Sequence, residues 1–491
     1  MTNRRGFLKA LGLGAAVMAV PGVWVLDRRA SGANRKKPNF VFFLIDDMGW
    51  KDLGCYGSSF HETPNIDRLA SQGMRFTDAY AACPVCSPTR ASIVAGKYPA
   101  RLGITQWIGG NNQPTAYRHY LPLEDVTIAE ALKEAGYATA FVGKWHLGST
   151  DYYPQHQGFD INIGGDSSGA PPTYFWPYKK RNRALDELPP GGQEGEYLTD
   201  RLTDESIKFM EANRDRPFLL YLSHYAVHTP IESKPELTEK YRAKAEKMPK
   251  HEGPRFVPVY GQYKTRMVQD NPAFAGMVHS VDDSVGHVMK KLDDLGVADN
   301  TIVIFMSDNG GLSTVPREGS TCNLPLRAGK GWLYEGGIRE PMIIKWPGVV
   351  RPGSTCGEPV TSTDFYPTML EMAGLPPKPE QHVDGLSLLP LLKQRARLNR
   401  KAIYWHYPHY HGSGSRPSGA IRSGDYKLIE WYEDKSVELY NLRRDIGEKE
   451  DLAAKMPEKA AELRGLLHQW LERTNAKVPT PEQLEAFGQK R

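Results

Sequence analysis

Pro38-Asn39-Phe40-Val41-Phe42-Phe43-Leu44-Ile45, followed by Asp46-Asp47, is the stretch that decides the fold. It carries no charge and shows no alternation of apolar and polar positions. A strand with one wet face alternates, so this run predicts a strand buried on both faces, as in a parallel sheet covered by helices. Similar runs recur at 138–142, 218–223, 301–306 and 341–345. Helical patterns lie between them. Residues 127–136 have a capping-type start, with Glu130 three positions after Thr127, and a glycine stop at Gly136. Residues 268–295 place Met277, Val281, Val285 and Met289 four apart, the apolar face of a long helix. Strands alternating with helices predict an α/β fold, with a large, mostly parallel (mixed) central sheet flanked by helices. After about residue 395 the texture changes. Short alternating segments at 418–422, 426–431 and 437–441, a Ser423-Gly424-Asp425 turn and a helix-like stretch at 458–474 predict a smaller C-terminal antiparallel sheet plus helix.

At 491 residues the chain is too long for one simple core, so a large domain with a smaller companion is expected. A net charge of +5 is small for this length, and no long basic run exists outside the N-terminus, so nucleic acid is not an expected partner. Five scattered cysteines, an odd number, do not describe a disulfide scaffold. Thr2-Asn3-Arg4-Arg5-Gly6-Phe7-Leu8-Lys9 resembles a bacterial twin-arginine signal. A moderately apolar stretch follows at 10–26, and Ser31-Gly32-Ala33 offers small residues for cleavage. The segment 1–33 predicts the twin-arginine export machinery as a partner and a periplasmic or secreted protein. An uncleaved membrane anchor is the alternative.

Ligands of open α/β sheets gather at the carboxyl ends of strands. Two polar clusters follow predicted strands: Asp46-Asp47 and Asp308-Asn309-Gly310-Gly311. Their hard oxygen donors suit Ca2+, or less well Mg2+, and no Cys/His cluster has zinc spacing. Taken singly, the first pair also reads as a helix cap and the second as a plain turn. Gly143-Lys144-Trp145-His146-Leu147-Gly148 follows another strand, and a spacing of two on extended backbone points Lys144 and His146 the same way. Solvated surface is the alternative there. His228 lies in Ala226-Val227-His228-Thr229-Pro230, with His224 as its competitor. Lys330 lies in Leu326-Arg327-Ala328-Gly329-Lys330-Gly331, ahead of Tyr334-Glu335-Gly336-Gly337-Ile338-Arg339-Glu340-Pro341. Cys86-Ser87-Pro88-Thr89-Arg90 runs into an apolar stretch that reads as a helix, which places Cys86 near an N-terminus where backbone N–H groups favour anions. A buried thiol or a disulfide with Cys83 is the alternative.

These stretches together resemble the sulfatase family, within the alkaline-phosphatase-like superfamily. The Cys-x-Pro-x-Arg core at 86–90 carries most of the resemblance. Thr63-Pro64-Asn65-Ile66-Asp67-Arg68-Leu69-Ala70 and Gly424-Asp425-Tyr426-Lys427-Leu428 extend it over nearly the whole mature chain. The resemblance implies a catalytic domain at 34–394, a C-terminal subdomain at 395–491 and hydrolysis of sulfate esters. It implies that a formylglycine-generating or sulfatase-maturing enzyme converts Cys86 to formylglycine (3-oxoalanine), whose hydrate attacks sulfur. It further implies one Ca2+ held by Asp46, Asp47, Asp308, Asn309 and the residue at position 86. Arg90 and His146 would orient the diol, Asp308 would help deprotonate it, and His228 would face the leaving oxygen. Lys144 and Lys330 would contact sulfate, while Arg327 and Arg339 would serve structural ion pairs. Three carboxylates offset by a divalent cation, Arg90, Lys144 and Lys330 leave a positive surplus for a sulfate monoester.

Gly164-Gly165-Asp166-Ser167-Ser168-Gly169-Ala170-Pro171-Pro172-Thr173-Tyr174-Phe175 resembles a segment of secreted bacterial N-acetylgalactosamine-6-sulfatase-like enzymes. It implies a sulfated carbohydrate substrate of galactose or N-acetylgalactosamine type. His406, His409, His411 and Arg416 lie in a Gly/Ser/aromatic stretch polar enough to contact sugar hydroxyls, although an exposed histidine-rich loop reads the same way. Two rival functions are a phosphomonoester or phosphonate hydrolase of the same superfamily and a non-catalytic glycan-binding protein on this scaffold.

Overall fold

A computed structural model describes residues 37–110, 113–316 and 319–488; the predicted signal segment lies outside them. In chain order the strands are β1 (Asn39–Ile45), β2 (Met74–Tyr80), β3 (Ala138–Gly143), β4 (Ile161–Ile163), β5 (Lys179–Lys180), β6 (Arg183–Ala184), β7 (Phe218–His224), β8 (Phe256–Tyr260) and β9 (Tyr263–Arg266). They continue with β10 (Thr301–Ser307), β11 (Thr314–Val315), β12 (Arg339–Lys345), β13 (Ser354–Cys356), β14 (Val360–Thr361), β15 (Ile403–Tyr407), β16 (Ser418–Ser423), β17 (Tyr426–Trp431) and β18 (Val437–Asn441). Nine of them form the central sheet, in the order β13-β2-β12-β10-β1-β7-β3-β4 with β14 also on β2. The apolar runs are its middle. β1 pairs in parallel with β10 and β7, and β7 with β3, and every residue of these four strands is buried.

Alternate residues of β1 feed two separate cores, which explains why residues 40–45 show no apolar/polar alternation. Phe40, Phe42 and Leu44 join one apolar cluster with α2 (Cys86–Ala95) and the helices Ile128–Glu134 and Phe365–Met372. Val41, Phe43 and Ile45 join the other, with α1 (Pro64–Gln72) and the helices Leu198–Ala212 and Pro272–Asp294. The predicted capping box is present: Thr127 Oγ1 accepts from Glu130 N, and the Glu130 carboxylate accepts from Thr127 N.

The predicted run at 341–345 is a strand, but it lies antiparallel to both β10 and β2. The short helix Glu335–Ile338 delivers the chain to the same sheet edge where β10 ends, so β12 runs back from that edge. The small sheet has the order β15-β16-β17-β18, all antiparallel, and the helix Pro457–Arg473 packs on it through Leu463, Leu467 and Trp470. Its other face meets the main body through a cluster that includes Tyr80, Val85, Trp332, Leu333, Trp405, Tyr407 and Trp431. Among the described residues, no helix is long and apolar enough to cross a membrane.

Candidate active site

Parallel register sets the site. Ile45 is opposite Ser307 on one side and His224 on the other, and Gly143 is opposite Ser223. The residues that follow these strand ends therefore converge at one sheet edge. Asp47 N donates to Asp308 Oδ1 at 3.2 Å, and Asn309 Nδ2 donates to Asp47 Oδ1 at 2.7 Å. The two glycines after Asn309 do more than make a turn. A Cβ at Gly310 would lie 1.9 Å from the backbone oxygen of Gly336, so only glycine lets the two segments cross. Asp46 N donates to Ala226 O at 3.1 Å and Val227 N to Asp46 O at 2.7 Å, which pins the loop after β7 to the end of β1. His228 thereby comes within 3.7 Å of Asp47 through Nε2. His224 is buried instead, with Nε2 2.9 Å from Ser284 Oγ.

Each carboxylate meets a cation. Lys144 Nζ donates to Asp46 Oδ2 at 2.6 Å, and Lys330 Nζ lies 2.7 Å from Asp47 Oδ1 and 2.9 Å from Oδ2. Arg90 reaches Asp308 Oδ2 through Nε at 2.8 Å and Nη2 at 2.7 Å, while its Nη1 donates to Lys144 O and Ser223 Oγ, both at 2.7 Å. Burial raises the Asp46 carboxyl well above the ordinary range, against the pull of Lys144. Burial acts on Asp47 too, but Lys330 and His228 outweigh it and lower that carboxyl. Two buried oxygens, Asp46 Oδ1 and Asn309 Oδ1, have no hydrogen-bond partner in the protein. Asp46, Asp47 and His228 each place a ligand atom within 4.8 Å of the others. This set, mostly hard oxygen donors with two uncommitted lone-pair sites, fits a divalent cation of the Ca2+ or Mg2+ kind.

Cys86 is the first residue of α2, a helix buried along its whole length. Its Sγ lies 3.4 Å from His146 Nδ1, and His146 Nε2 lies 2.7 Å from Ile108 O. A carbonyl only accepts, so Nε2 carries the hydrogen and Nδ1 faces position 86 as an acceptor. Burial, reinforced by Lys144, holds the His146 imidazole well below its usual pKa, so the ring stays neutral. His146 and Asp47 both have left-handed backbone, with φ of 58° and 59°. Non-glycine residues there carry strain, and such strain gathers at working sites. Cys83 and Cys86 are both free thiols, which removes the disulfide alternative.

A cavity of about 450 Å³ opens over this arrangement. Cys86, His146, His228 and Lys330 line it, with walls from Trp107, Ile108, Leu312 and Val315 and contributions from Gly169, Ala170, Arg183 and His411-Gly412-Ser413. Three expected sugar contacts are not among the lining residues. His406 lies on β15, buried, with Nδ1 2.8 Å from Tyr432 Oη and Nε2 3.3 Å from Lys477 O. His409 is buried with Nε2 2.8 Å from Thr105 Oγ1. Arg416 pairs with Glu433 at 2.8 Å and lies over the Trp431 ring at 4.6 Å. All three are taken up by the packing of the small sheet and its neighbours. His411, from the same stretch, does line the cavity. Sequence reasoning missed Trp107 and Arg183. Arg183 had a signal, the short basic run Lys179-Lys180-Arg181-Asn182-Arg183.

A central mixed sheet with an oxygen-rich cluster and a helix-borne Cys86 at one edge is the architecture of an alkaline-phosphatase-like hydrolase. Residues 38–375 match the Sulfatase family, and residues 328–477 match the family described as N-sulphoglucosamine sulphohydrolase, C-terminal. The chain belongs to the sulfatase family and is a sulfuric ester hydrolase. It is 33% identical to a sulfatase of Formosa agariphila over 90% of each chain. It is 36% identical to the N-acetylgalactosamine-6-sulfatase of Homo sapiens, over 77% of this chain and 69% of that one. The crystal structure of Ps i-CgsB in complex with k-i-k-neocarrahexaose superposes with a TM-score of 0.73 at 31% identity, over 89% of this chain and 93% of that one.

Proposed function

We propose that this enzyme removes sulfate from a carbohydrate of galactose or N-acetylgalactosamine type, with position 86 as formylglycine and a Ca2+ ion held by Asp46, Asp47, Asp308, Asn309 and the residue at position 86. The observation that carries the reading is the 3.4 Å approach of Cys86 Sγ to a neutral, acceptor-facing His146 in a cavity that also presents His228 and Lys330. The substrate class is supported by the likeness to N-acetylgalactosamine-6-sulfatase and to a structure holding a neocarrahexaose. Hydrated formylglycine would supply two hydroxyls on one carbon, one to displace the sugar alcohol from sulfur and one whose loss of a proton would re-form the aldehyde and release sulfate, and the cation would supply positive charge for the sulfate oxygens.

The chain's own groups have separable tasks. His146 Nδ1, fixed by the bond from Nε2 to Ile108 O, accepts the hydrogen of a hydroxyl at position 86. Lys330 and Lys144 set positive charge beside the carboxylates, so an incoming sulfate meets a neutralised floor. Arg90 is a positioning residue: its donors fix Asp308 and the end of β3. His228 Nδ1 donates to Thr229 O at 2.8 Å, so Nε2 is the atom offered to the cavity. As a neutral ring it accepts there; as imidazolium, favoured by Asp47, it donates to the departing oxygen. Burial and Lys330 hold its pKa well down, so proton delivery would require a shift on substrate binding. The reading includes maturation of Cys86 by a dedicated enzyme in the cytoplasm and export by the twin-arginine route to the periplasm or beyond.

A panel of sulfated mono- and oligosaccharides, with intact-protein mass to read the state of Cys86, tests the proposal. Cys86→Ala is expected to abolish turnover while leaving the circular dichroism spectrum unchanged, and substantial turnover by that variant would end the proposal. A sulfate ester must also outrun the phosphate ester of the same aryl alcohol. Prolonged chelation is expected to remove activity, and Ca2+ to restore it.

A further inference from the structure

The mouth of the cavity carries a charge pattern that sulfate-ester cleavage alone does not require. The hairpin of β5 and β6 places Lys179, Lys180, Arg181 and Arg183 within five positions, all exposed. Arg183 lines the cavity, and its Nη2 donates to Ala170 O, another lining residue, at 3.1 Å. That bond engages one of the five N–H donors of a guanidinium. Lys180 pairs with Glu232 at 3.6 Å, and among the described residues no carboxylate lies within ion-pair distance of Arg183.

The other titratable groups of the lining are already accounted for. Lys330 is paired with Asp47. His146 is engaged by Cys86 Sγ at 3.4 Å and Ile108 O at 2.7 Å, His228 by Thr229 O at 2.8 Å, and His411 by Ser413 Oγ at 2.8 Å. Arg183 is therefore the uncommitted cation of the lining among the described residues. Trp107, 37% exposed, adds an aromatic face to the same wall. At about 450 Å³ the cavity is of the size that encloses a whole organic ligand rather than a sulfate group alone.

We propose that Arg183, on its basic hairpin, binds a second anionic group, a sulfate or a carboxylate, on a sugar unit other than the one that loses sulfate. The preferred substrate is then an oligosaccharide with at least two negative charges. A planar guanidinium takes either oxyanion through two parallel hydrogen bonds. Lys179 and Arg181 raise the local positive potential that draws a polyanion to the mouth. The inference rests on the proposed carbohydrate sulfatase reading and deepens it.

The test uses three disaccharides with the same scissile sulfate and a neutral, a sulfated or a uronate neighbour, alongside an aryl sulfate. The wild type is expected to favour one or both dianionic substrates at least tenfold in kcat/KM, with the preference eroding as salt rises. Arg183→Gln should lower kcat/KM for the favoured substrate at least tenfold more than for the neutral-neighbour one, mainly through KM, and Arg183→Lys should recover part of the loss. The sulfate and uronate arms show which anion is read. Equal losses on all substrates, or none, would overturn the inference while aryl sulfate turnover left the sulfatase reading standing. Calorimetric titration of the same disaccharides into Cys86→Ala, with and without Arg183→Gln, reads the contact without turnover. A tenfold weakening confined to the dianionic ligands supports it, and unchanged affinity sinks it.

Discussion

His228 Nε2 lies 3.7 Å from Asp47, and His228 lines the cavity, where it is proposed to face the leaving oxygen. If it assists departure, its value depends on how poor the leaving group is. His228→Ala is therefore expected to lower kcat/KM on a sugar sulfate by roughly 100-fold or more, and on an aryl sulfate, whose phenol leaves unaided, by far less. Equal losses on both would remove that role. His406 makes a separate prediction. Burial lowers its pKa to about 4 from the usual 6.5, so between those values the unfolded chain binds more protons than the folded one. The stability it contributes is present above 6.5 and is lost as pH falls toward 4, at up to about 1.4 kcal/mol per pH unit. Denaturant unfolding at pH 7 and pH 4.5 should show the gap between wild type and His406→Gln shrinking at the lower pH. The core site residues were legible because chemistry-bearing types followed apolar runs directly: Asp46 after Ile45, Lys144 after Gly143, Asp308 after Ser307. His406 misled because a histidine among Gly, Ser and aromatics looks polar. The alternation of Ile403, Trp405 and Tyr407 with Tyr404 and His406 was the signal that it lay on a strand.

At the scale of elements, the end of β3 is held to tight tolerances. Gly143 has φ of 104°, and a Cβ there would sit 1.9 Å from the backbone oxygen of Ser223 on β7. Gly143→Ala must push the two strands apart just where Lys144 N donates to Ser223 O at 2.8 Å. A loss of about 2 kcal/mol or more is expected, read as a lowered thermal midpoint, together with lost activity because Lys144 and His146 follow directly. The four parallel strands were readable because burial on both faces leaves their middles apolar, with polar residues mostly at the ends, such as Asn39, Thr301 and Ser307. The direction of β12 was not, since an apolar run reads the same either way and only its pairing with β10 and β2 sets the sense. β2 was missed for the opposite reason: Arg75, Thr77 and Asp78 break its apolar pattern.

Across the whole molecule, a buried set of charges joins the small sheet to the main body. Lys427 on β17 is fully buried, with Nζ 2.9 Å from Glu335 Oε1 and 2.9 Å from Glu448 Oε1. Arg339 pairs with Glu335 at 3.0 Å and Asp78 at 2.8 Å, and Arg422 on β16 reaches Asp78 at 2.8 Å. Removing one partner leaves buried charge uncompensated. Lys427→Met is expected to cost about 3–5 kcal/mol, measurable by denaturant unfolding, and a near-neutral result would mean that the acids protonate freely. No spacing in the sequence announces this network, because its members come from positions 78 to 448 and meet only once the sheet is folded. The stretch between β15 and β16 has a further consequence. It supplies His411, Gly412 and Ser413 to the cavity, whereas Cys86 at the start of α2 and His146 and His228 in the loops after β3 and β7 come from far earlier in the chain. Part of the wall that a substrate meets is thus drawn from a distant portion of the polypeptide, so exchanging that late loop is expected to alter substrate preference while Cys86, His146 and His228 keep their places.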